Sequence, residues 1–217
     1  MNKDQIIENA IAYVKATLKD AEGGHDWWHI YRVWKTAKQI AQQETGKAFV
    51  VELGALLHDI ADSKFHDGDE SIGPAKARSF LQSQQVDDAT TAHVVNIIEN
   101  ISFKGGKEKQ VFKSLELDIV QDADRLDAMG AIGIARAFNY GGFKNRKLYD
   151  PEVKPNLMKS KEQYKKNADP TINHFYEKLF LLKDRMNTAA GKQMAAARHE
   201  YMNEYVDRFY KEWEGEI

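Results

Sequence analysis

Histidines and aspartates recur at three points in the chain where together they could bind a cation. His58 and Asp59 close the apolar run VVELGALLHDI, His29 lies in HDWWHIYRV, and QDADRLDAM places three aspartates, among them Asp124, in an otherwise apolar segment. A buried charge that is neither paired nor bound to a cation costs several kcal/mol. The two imidazoles and two carboxylates of His29, His58, Asp59 and Asp124 are a mixed donor set that suits Mn²⁺, Fe²⁺, Mg²⁺ or Ni²⁺ in octahedral geometry, with two positions open.

The dipeptide His-Asp occurs three times, and its context separates the three copies. His25-Asp26 follows two glycines at a predicted helix start, where Asp26 is the natural N-cap. His66-Asp67 lies in a polar, glycine-containing stretch and is predicted to face solvent. His58-Asp59 alone ends a helix that is apolar on nearly every face. A single buried His-Asp pair is more often a satisfied core pair than a metal site, so the metal interpretation depends on His29 and Asp124.

The composition excludes cysteine chemistry and indicates where in the cell the protein works. The chain has 217 residues and no cysteine, which excludes disulfides, zinc-thiolate sites and cysteine nucleophiles. Its charged N-terminal segment and the absence of an apolar run of about 18 residues predict a cytoplasmic protein without a membrane span. A net charge of −2 argues against bulk nucleic-acid binding. Residues 141–166 nevertheless carry eight basic and three acidic side chains, which suits either a lid that gathers an anionic substrate or a solvated mobile loop.

The elements that must position these side chains are helices. Prolines occur at only four positions and apolar residues recur at intervals of 3.6, so the sequence predicts a compact, all-α, single-domain protein spanning residues 1–217. The second helix carries a core stripe from Ile30 to Ala41. We expect the aromatic residues Trp27, Trp28, Tyr31 and Trp34 to belong mainly to the core, although a tryptophan beside His29 could also stack on a base. The predicted helices cover about 3–19, 26–44, 47–60, 70–83, 87–101, 115–138, 171–185 and 188–213.

The order His, His-Asp, Asp on predicted helices resembles the HD-domain superfamily of metal-dependent phosphohydrolases, over residues 25 to about 138. The stretches HDWWHIYRV, LLHDIAD, IIENISFKG, QDADRLDAMGAIGIARAF and HFYEKL are similar, more closely still, to the small stand-alone bacterial HD hydrolases of the YedJ type, over nearly the whole chain. The resemblance implies that His29, His58, Asp59 and Asp124 are metal ligands. Two-metal members place further histidines between the His-Asp pair and the last aspartate; here that interval holds only His66 and His93. One divalent ion is therefore expected, Mn²⁺ by preference, with Mg²⁺, Fe²⁺, Ni²⁺ or Co²⁺ as alternatives.

The resemblance also suggests roles around the metal. Asp62, three residues after Asp59, occupies the place of an acid that handles the attacking water, and its alternative is a surface acid at a helix end. Arg32 and Lys104 are candidate cations for phosphate, and Asp127 joins them as a candidate substrate-binding residue. Equally, Arg32 could pair with a core carboxylate such as Asp127, and Lys104 could be an ordinary loop lysine.

The expected activity is hydrolysis of a phosphoester or pyrophosphate in a small, anionic, nucleotide-like substrate. Nucleoside or deoxynucleoside triphosphates come first, with release of pyrophosphate as one outcome, and nucleoside monophosphates or guanosine polyphosphates follow. The alternatives are a non-catalytic HD module that binds a nucleotide signal and a purely structural helical protein. The sequence does not indicate an oligomeric state.

Overall fold

The computed structural model describes residues 2–19, 21, 26–61, 69–101, 112–157 and 169–217. These residues form helices and, within those ranges, no strand, which confirms the all-α prediction. The long helices are α1 (Lys3–Thr17), α2 (Trp27–Glu44), α3 (Ala48–Leu57), α4 (Ile72–Ser83), α5 (Asp88–Asn100), α6 (Leu115–Asp127), α7 (Gly130–Phe143) and α8 (Ala189–Trp213). A short π-helical turn (Phe175–Leu179) and a 3₁₀ helix (Phe180–Arg185) precede α8.

The chain divides into two compact units, Met1–Asp124 and Arg125–Ile217, with the division inside α6. In the first unit α3 is the central helix and packs against α1, α2 and α5, while α4 packs against α5. In the second unit α8 packs against α7 and against the 3₁₀ helix. The assignment of all 217 residues to one HD domain stays a prediction.

Helix α3 is buried because almost every one of its side chains is apolar. Seven of its ten residues are buried, among them Leu53, Leu56 and Leu57. A Cβ atom on Gly54 would lie 3.3 Å from the nearest carbon of Ile97 and 3.4 Å from that of Val120, so glycine permits a close approach of three helices. This packing fixes the end of α3, where the His-Asp pair follows.

The prediction of one helix over 115–138 is wrong, because the helix is interrupted between α6 and α7. Met129 is extended and Gly130 has φ +68°, in the left-handed region that favours glycine. Arg198 donates to the carbonyl of Leu126, and Arg136 donates to that of Asp127. The two arginines thus satisfy carbonyls at the end of α6 that have no partner within the helix.

The described part of the basic segment, residues 141–157, is hydrogen-bonded to residues that follow it in the chain. Its first residues, 141–143, complete α7. The N–H groups of Thr171 and Ile172 then donate to the carbonyls of Lys147 and Leu148, and the side chain of Asn173 donates to Val153. Residues 158–168, with four of the eight basic side chains, lie outside the described part, so the proposed lid stays a prediction.

None of the helices in the described ranges is both long enough and apolar enough to cross a membrane.

Candidate metal centre

His29 is held in the first turn of α2. Asp26 is the N-cap, as predicted, and its Oδ1 accepts a hydrogen bond from the N–H of His29 at 3.0 Å. The apolar stripe that begins at Ile30 faces the core and sets the rotation of the helix. His29 itself is only 3% exposed, so its imidazole points into the protein.

His58 follows the last residue of α3, and one of its ring nitrogens forms a hydrogen bond with the backbone. Its Nδ1 lies 2.8 Å from the carbonyl oxygen of Ala55, and because a carbonyl only accepts, Nδ1 must carry the proton. The lone pair is therefore on Nε2. That atom is buried and has no hydrogen-bond partner among the described residues. A buried acceptor without a partner costs about 1–3 kcal/mol, which indicates that something else occupies this position in the working protein.

The carboxylates complete a compact group. One ligand atom from each of His29, His58 and Asp59 lies within 4.8 Å of the other two, and Asp59 is half-buried. From α6, Oδ1 of Asp124 lies 3.5 Å from Nε2 of His29 and 3.9 Å from Nε2 of His58, and this side chain is 40% exposed. The two imidazole rings are 5.4 Å apart and nearly perpendicular.

These separations fit a shared divalent cation. Two donors bound at about 2.1 Å to one octahedral ion are about 3 Å apart when adjacent and about 4 Å apart when opposite. The distances from Asp124 to the two histidines fall in this range. The lone pair of His58, the second buried imidazole and the carboxylate of Asp59 form a mixed nitrogen and oxygen donor set that suits such an ion, and Asp124 approaches both histidines. The 40% exposure of Asp124 leaves the site open to solvent on one side.

Of the four other predicted site residues, two lie in the part of the chain that the structure describes. Asp62 and Lys104 lie outside the described residues. Arg32 is half-buried on α2, one turn after His29. Asp127 is 3% exposed and pairs with Arg136, whose Nη1 lies 2.6 Å from its Oδ2. Arg136, together with the nearby charge of Arg198, offsets the buried charge of Asp127 within the second unit, and the substrate-binding role of Asp127 stays a prediction.

The prediction that the aromatic residues of α2 belong to the core is wrong for two of them. Trp28 is 60% exposed and Tyr31 is 37% exposed. The sequence contained the signal, because Trp28 precedes Ala37 by nine residues, two and a half turns, and so lies on the face opposite the core stripe. Trp34 is half-buried, and its indole N–H donates to Glu52 at 2.9 Å.

Two other histidines lie outside the cluster. Nε2 of His93 lies 3.0 Å from the hydroxyl of Ser114 and 3.4 Å from the carboxylate of Glu116. The pKa of His199 is lowered from its ordinary value, chiefly by burial and further by the charge of Lys183, while Asp184 acts in the opposite direction. His93 therefore has protein partners of its own, and His199 favours its neutral form.

Comparison with known proteins identifies the family. Residues 27–129 match the HD domain. The chain is 35% identical over 209 residues to Bacillus subtilis YpgQ, a protein without an assigned function, and the match covers 96% of this chain and 94% of YpgQ. A crystal structure of an HD-superfamily hydrolase from Bacillus thuringiensis is 44% identical, with a TM-score of 0.81 and coverage of 98% of this chain and 99% of that one.

YpgQ has also been crystallised in complex with ADP. That structure is 32% identical to the present chain, has a TM-score of 0.75 and covers 98% of this chain and 97% of its own. The matched family residues begin at α2 and end just after α6, so they include the whole histidine and aspartate cluster. The chain therefore belongs to the HD-domain superfamily and is one of its metal-dependent phosphohydrolases.

Proposed function

We propose that the protein is a cytoplasmic enzyme that hydrolyses a phosphoester or pyrophosphate bond of a nucleotide, with one divalent ion held by His29, His58, Asp59 and Asp124. The observation that carries the proposal is the buried Nε2 of His58, whose lone pair has no hydrogen-bond partner in the described part of the chain and which lies 3.9 Å from a carboxylate of Asp124. The ADP complex of the related YpgQ supports a nucleotide as substrate. Mn²⁺ is the first candidate ion, and the mixed nitrogen and oxygen donors suit it as they also suit Fe²⁺ and Ni²⁺.

The chain's own residues would hold the reactants in place. The hydrogen bond from His58 to Ala55 fixes the ring and presents Nε2, while the N-cap at Asp26 fixes the turn that carries His29. A bound cation would lower the pKa of a water molecule and neutralise charge that develops on the phosphate. Asp62 would orient that water or take its proton, and Arg32 and Lys104 would supply further positive charge to the phosphate oxygens.

The experiment is a hydrolysis screen of chelator-stripped protein with added Mn²⁺, Mg²⁺, Ni²⁺ or Co²⁺. Substrates are nucleoside mono-, di- and triphosphates and guanosine polyphosphates, and the assay resolves phosphate from pyrophosphate. We expect metal-dependent turnover that His58→Ala abolishes and His93→Ala retains, since His93 has its own partners in Ser114 and Glu116.

The variant Asp62→Ala separates the enzyme from a binding module. If Asp62 handles the water, turnover falls by about 10²- to 10⁴-fold while the affinity for the metal stays the same. Unchanged turnover would remove Asp62 from the mechanism. Nucleotide binding with no turnover under any metal would favour a module that binds a nucleotide signal.

A further inference from the structure

The solvent-exposed face of α2 carries two aromatic rings. Trp28 directly precedes His29 and is the most exposed of the three tryptophans in this helix, at 60%. The other two are covered by neighbours. The ammonium of Lys15 lies 4.8 Å from the ring of Trp27, and that of Lys38 lies 5.1 Å from the ring of Trp34.

The indole of Trp28 is held by a second aromatic residue. Its ring lies 5.9 Å from that of Tyr31 in an edge-to-face arrangement with an angle of 79° between the planes. Residues three and four apart on a helix lie on the same face, so Tyr31 and Arg32 both neighbour Trp28. This face therefore combines a supported, solvent-exposed ring with a cation, one residue from a histidine of the metal centre.

A nucleotide matches this combination. Its base is planar, aromatic and stacks on indole, whereas its phosphates require cations. Stacking tolerates every base because each base presents a π-face, so such a contact would favour nucleotides as a class and would not select one base. The phosphates and the base of one molecule would then contact consecutive residues of α2.

We propose that Trp28, supported by Tyr31, is the base-stacking residue for a nucleoside polyphosphate whose phosphates bind at His29, His58, Asp59 and Asp124. This inference rests on the proposed function, because it assigns the base of the same substrate. It goes further in naming the residue that distinguishes a nucleotide from a base-free polyphosphate. Trp28 is then a specificity residue, and it takes no part in the bond-breaking step.

The test compares ATP with inorganic tripolyphosphate, which has the phosphates and lacks the base. Loss of a stacking ring weakens binding by about five- to 150-fold. We expect Trp28→Leu to raise KM for ATP by about tenfold with little change in kcat, and to lower by a similar factor the ratio of kcat/KM for ATP to that for tripolyphosphate. Trp28→Phe keeps an aromatic face and should restore most of the ratio.

The matched control is Trp34→Phe on the same helix, which alters a half-buried indole bonded to Glu52 and should leave the ratio as in the wild type. A purely structural role for Trp28 would lower kcat/KM for both substrates together, and that result would overturn the inference. An unchanged ratio in Trp28→Leu would overturn it as well.

Binding of ADP separates this inference from the proposed function. Calorimetric titration of ADP into Mn²⁺-loaded protein requires no turnover, so it applies even if hydrolysis is absent. A Kd that rises about tenfold in Trp28→Leu, with unchanged affinity for Mn²⁺, supports the stacking role. Equal ADP affinity in wild type and variant, or no binding to the wild type, refutes it, whereas absence of hydrolysis with intact binding refutes the enzyme alone.

Discussion

Removal of the metal by exhaustive chelation should lower the stability of the wild-type protein. A ligand that binds only the native state stabilises it by about 2.7 kcal/mol when present at 100 times its Kd. For a chain of this size about 1 kcal/mol changes Tm by roughly 2–4 °C, so the expected difference between Mn²⁺-saturated and metal-free protein is about 5–11 °C. Scanning calorimetry with and without EDTA measures it.

The variant His58→Ala tests whether the stabilisation by Mn²⁺ depends on a proposed ligand. In the metal-free state the substitution removes the hydrogen bond to Ala55, which contributes about 1 kcal/mol, but it also removes a buried Nε2 without a partner, which costs about 1–3 kcal/mol. The loss of packing around an imidazole whose side chain is only 4% exposed adds to the cost, so we expect metal-free His58→Ala to melt below the metal-free wild type. Addition of Mn²⁺ should leave the Tm of the variant almost unchanged.

The matched control is His93→Ala, whose imidazole contacts Ser114 and Glu116 and lies outside the metal cluster. This variant should keep the full increase in Tm on addition of Mn²⁺. The reasoning would be refuted by a wild-type melt that neither EDTA nor Mn²⁺ moves. A metal-dependent increase in His58→Ala as large as in the wild type would refute it equally.

Three further predictions concern the second unit. Thr188 caps α8 and its hydroxyl accepts from a backbone N–H at 2.9 Å, so Thr188→Ala should lower the free energy of unfolding by about 1 kcal/mol in urea titrations, and Thr188→Ser by much less. Arg136→Met removes the 2.6 Å partner of the buried Asp127 carboxylate, whose charge Arg198 still partly offsets, and should cost about 1.5–3 kcal/mol, whereas Arg208→Met, at an exposed pair, should change stability by less than about 0.5 kcal/mol. Burial lowers the pKa of His199 below 6.5, so the unfolded chain binds its proton more readily than the folded one. The contribution of neutral His199 to stability is therefore fully present above about pH 6.5 and is lost as the pH falls through the lowered pKa of the folded state. His199→Phe should lose less stability than the wild type between pH 7.5 and 5.5. An identical loss in the variant would exclude His199 as the source of the pH dependence.

The helices could be predicted because periodicity and capping are local patterns, and the candidate ligands could be predicted because histidines and aspartates are unusual in apolar helices. Asp26, close after two glycines, predicted the start of α2. The acidic residues of an otherwise apolar segment indicated Asp124 as a candidate ligand. His29, His58 and Asp59 lie close together and Asp124 lies near both histidines, but their binding of a metal stays a prediction for each residue.

Two features differ from the sequence predictions, and only the first of them lies beyond what periodicity expresses. The break before α7 results from the left-handed φ of Gly130, and a glycine within an apolar periodic stretch is equally compatible with an unbroken helix. The second feature is the exposure of the aromatic residues of α2. Their residue type predicts burial, whereas the position of Trp28 around the helix axis, opposite the core stripe, leaves it exposed to solvent.

Anomalous X-ray scattering at the manganese edge, from crystals grown with Mn²⁺, tests the proposed metal site directly. We expect one strong peak within bonding distance of Nε2 of His58, of His29 and of the carboxylates of Asp59 and Asp124, and no such peak in His58→Ala crystals. Crystals that contain Mn²⁺ and show no peak among these four side chains, or a peak that persists in the variant, would contradict it.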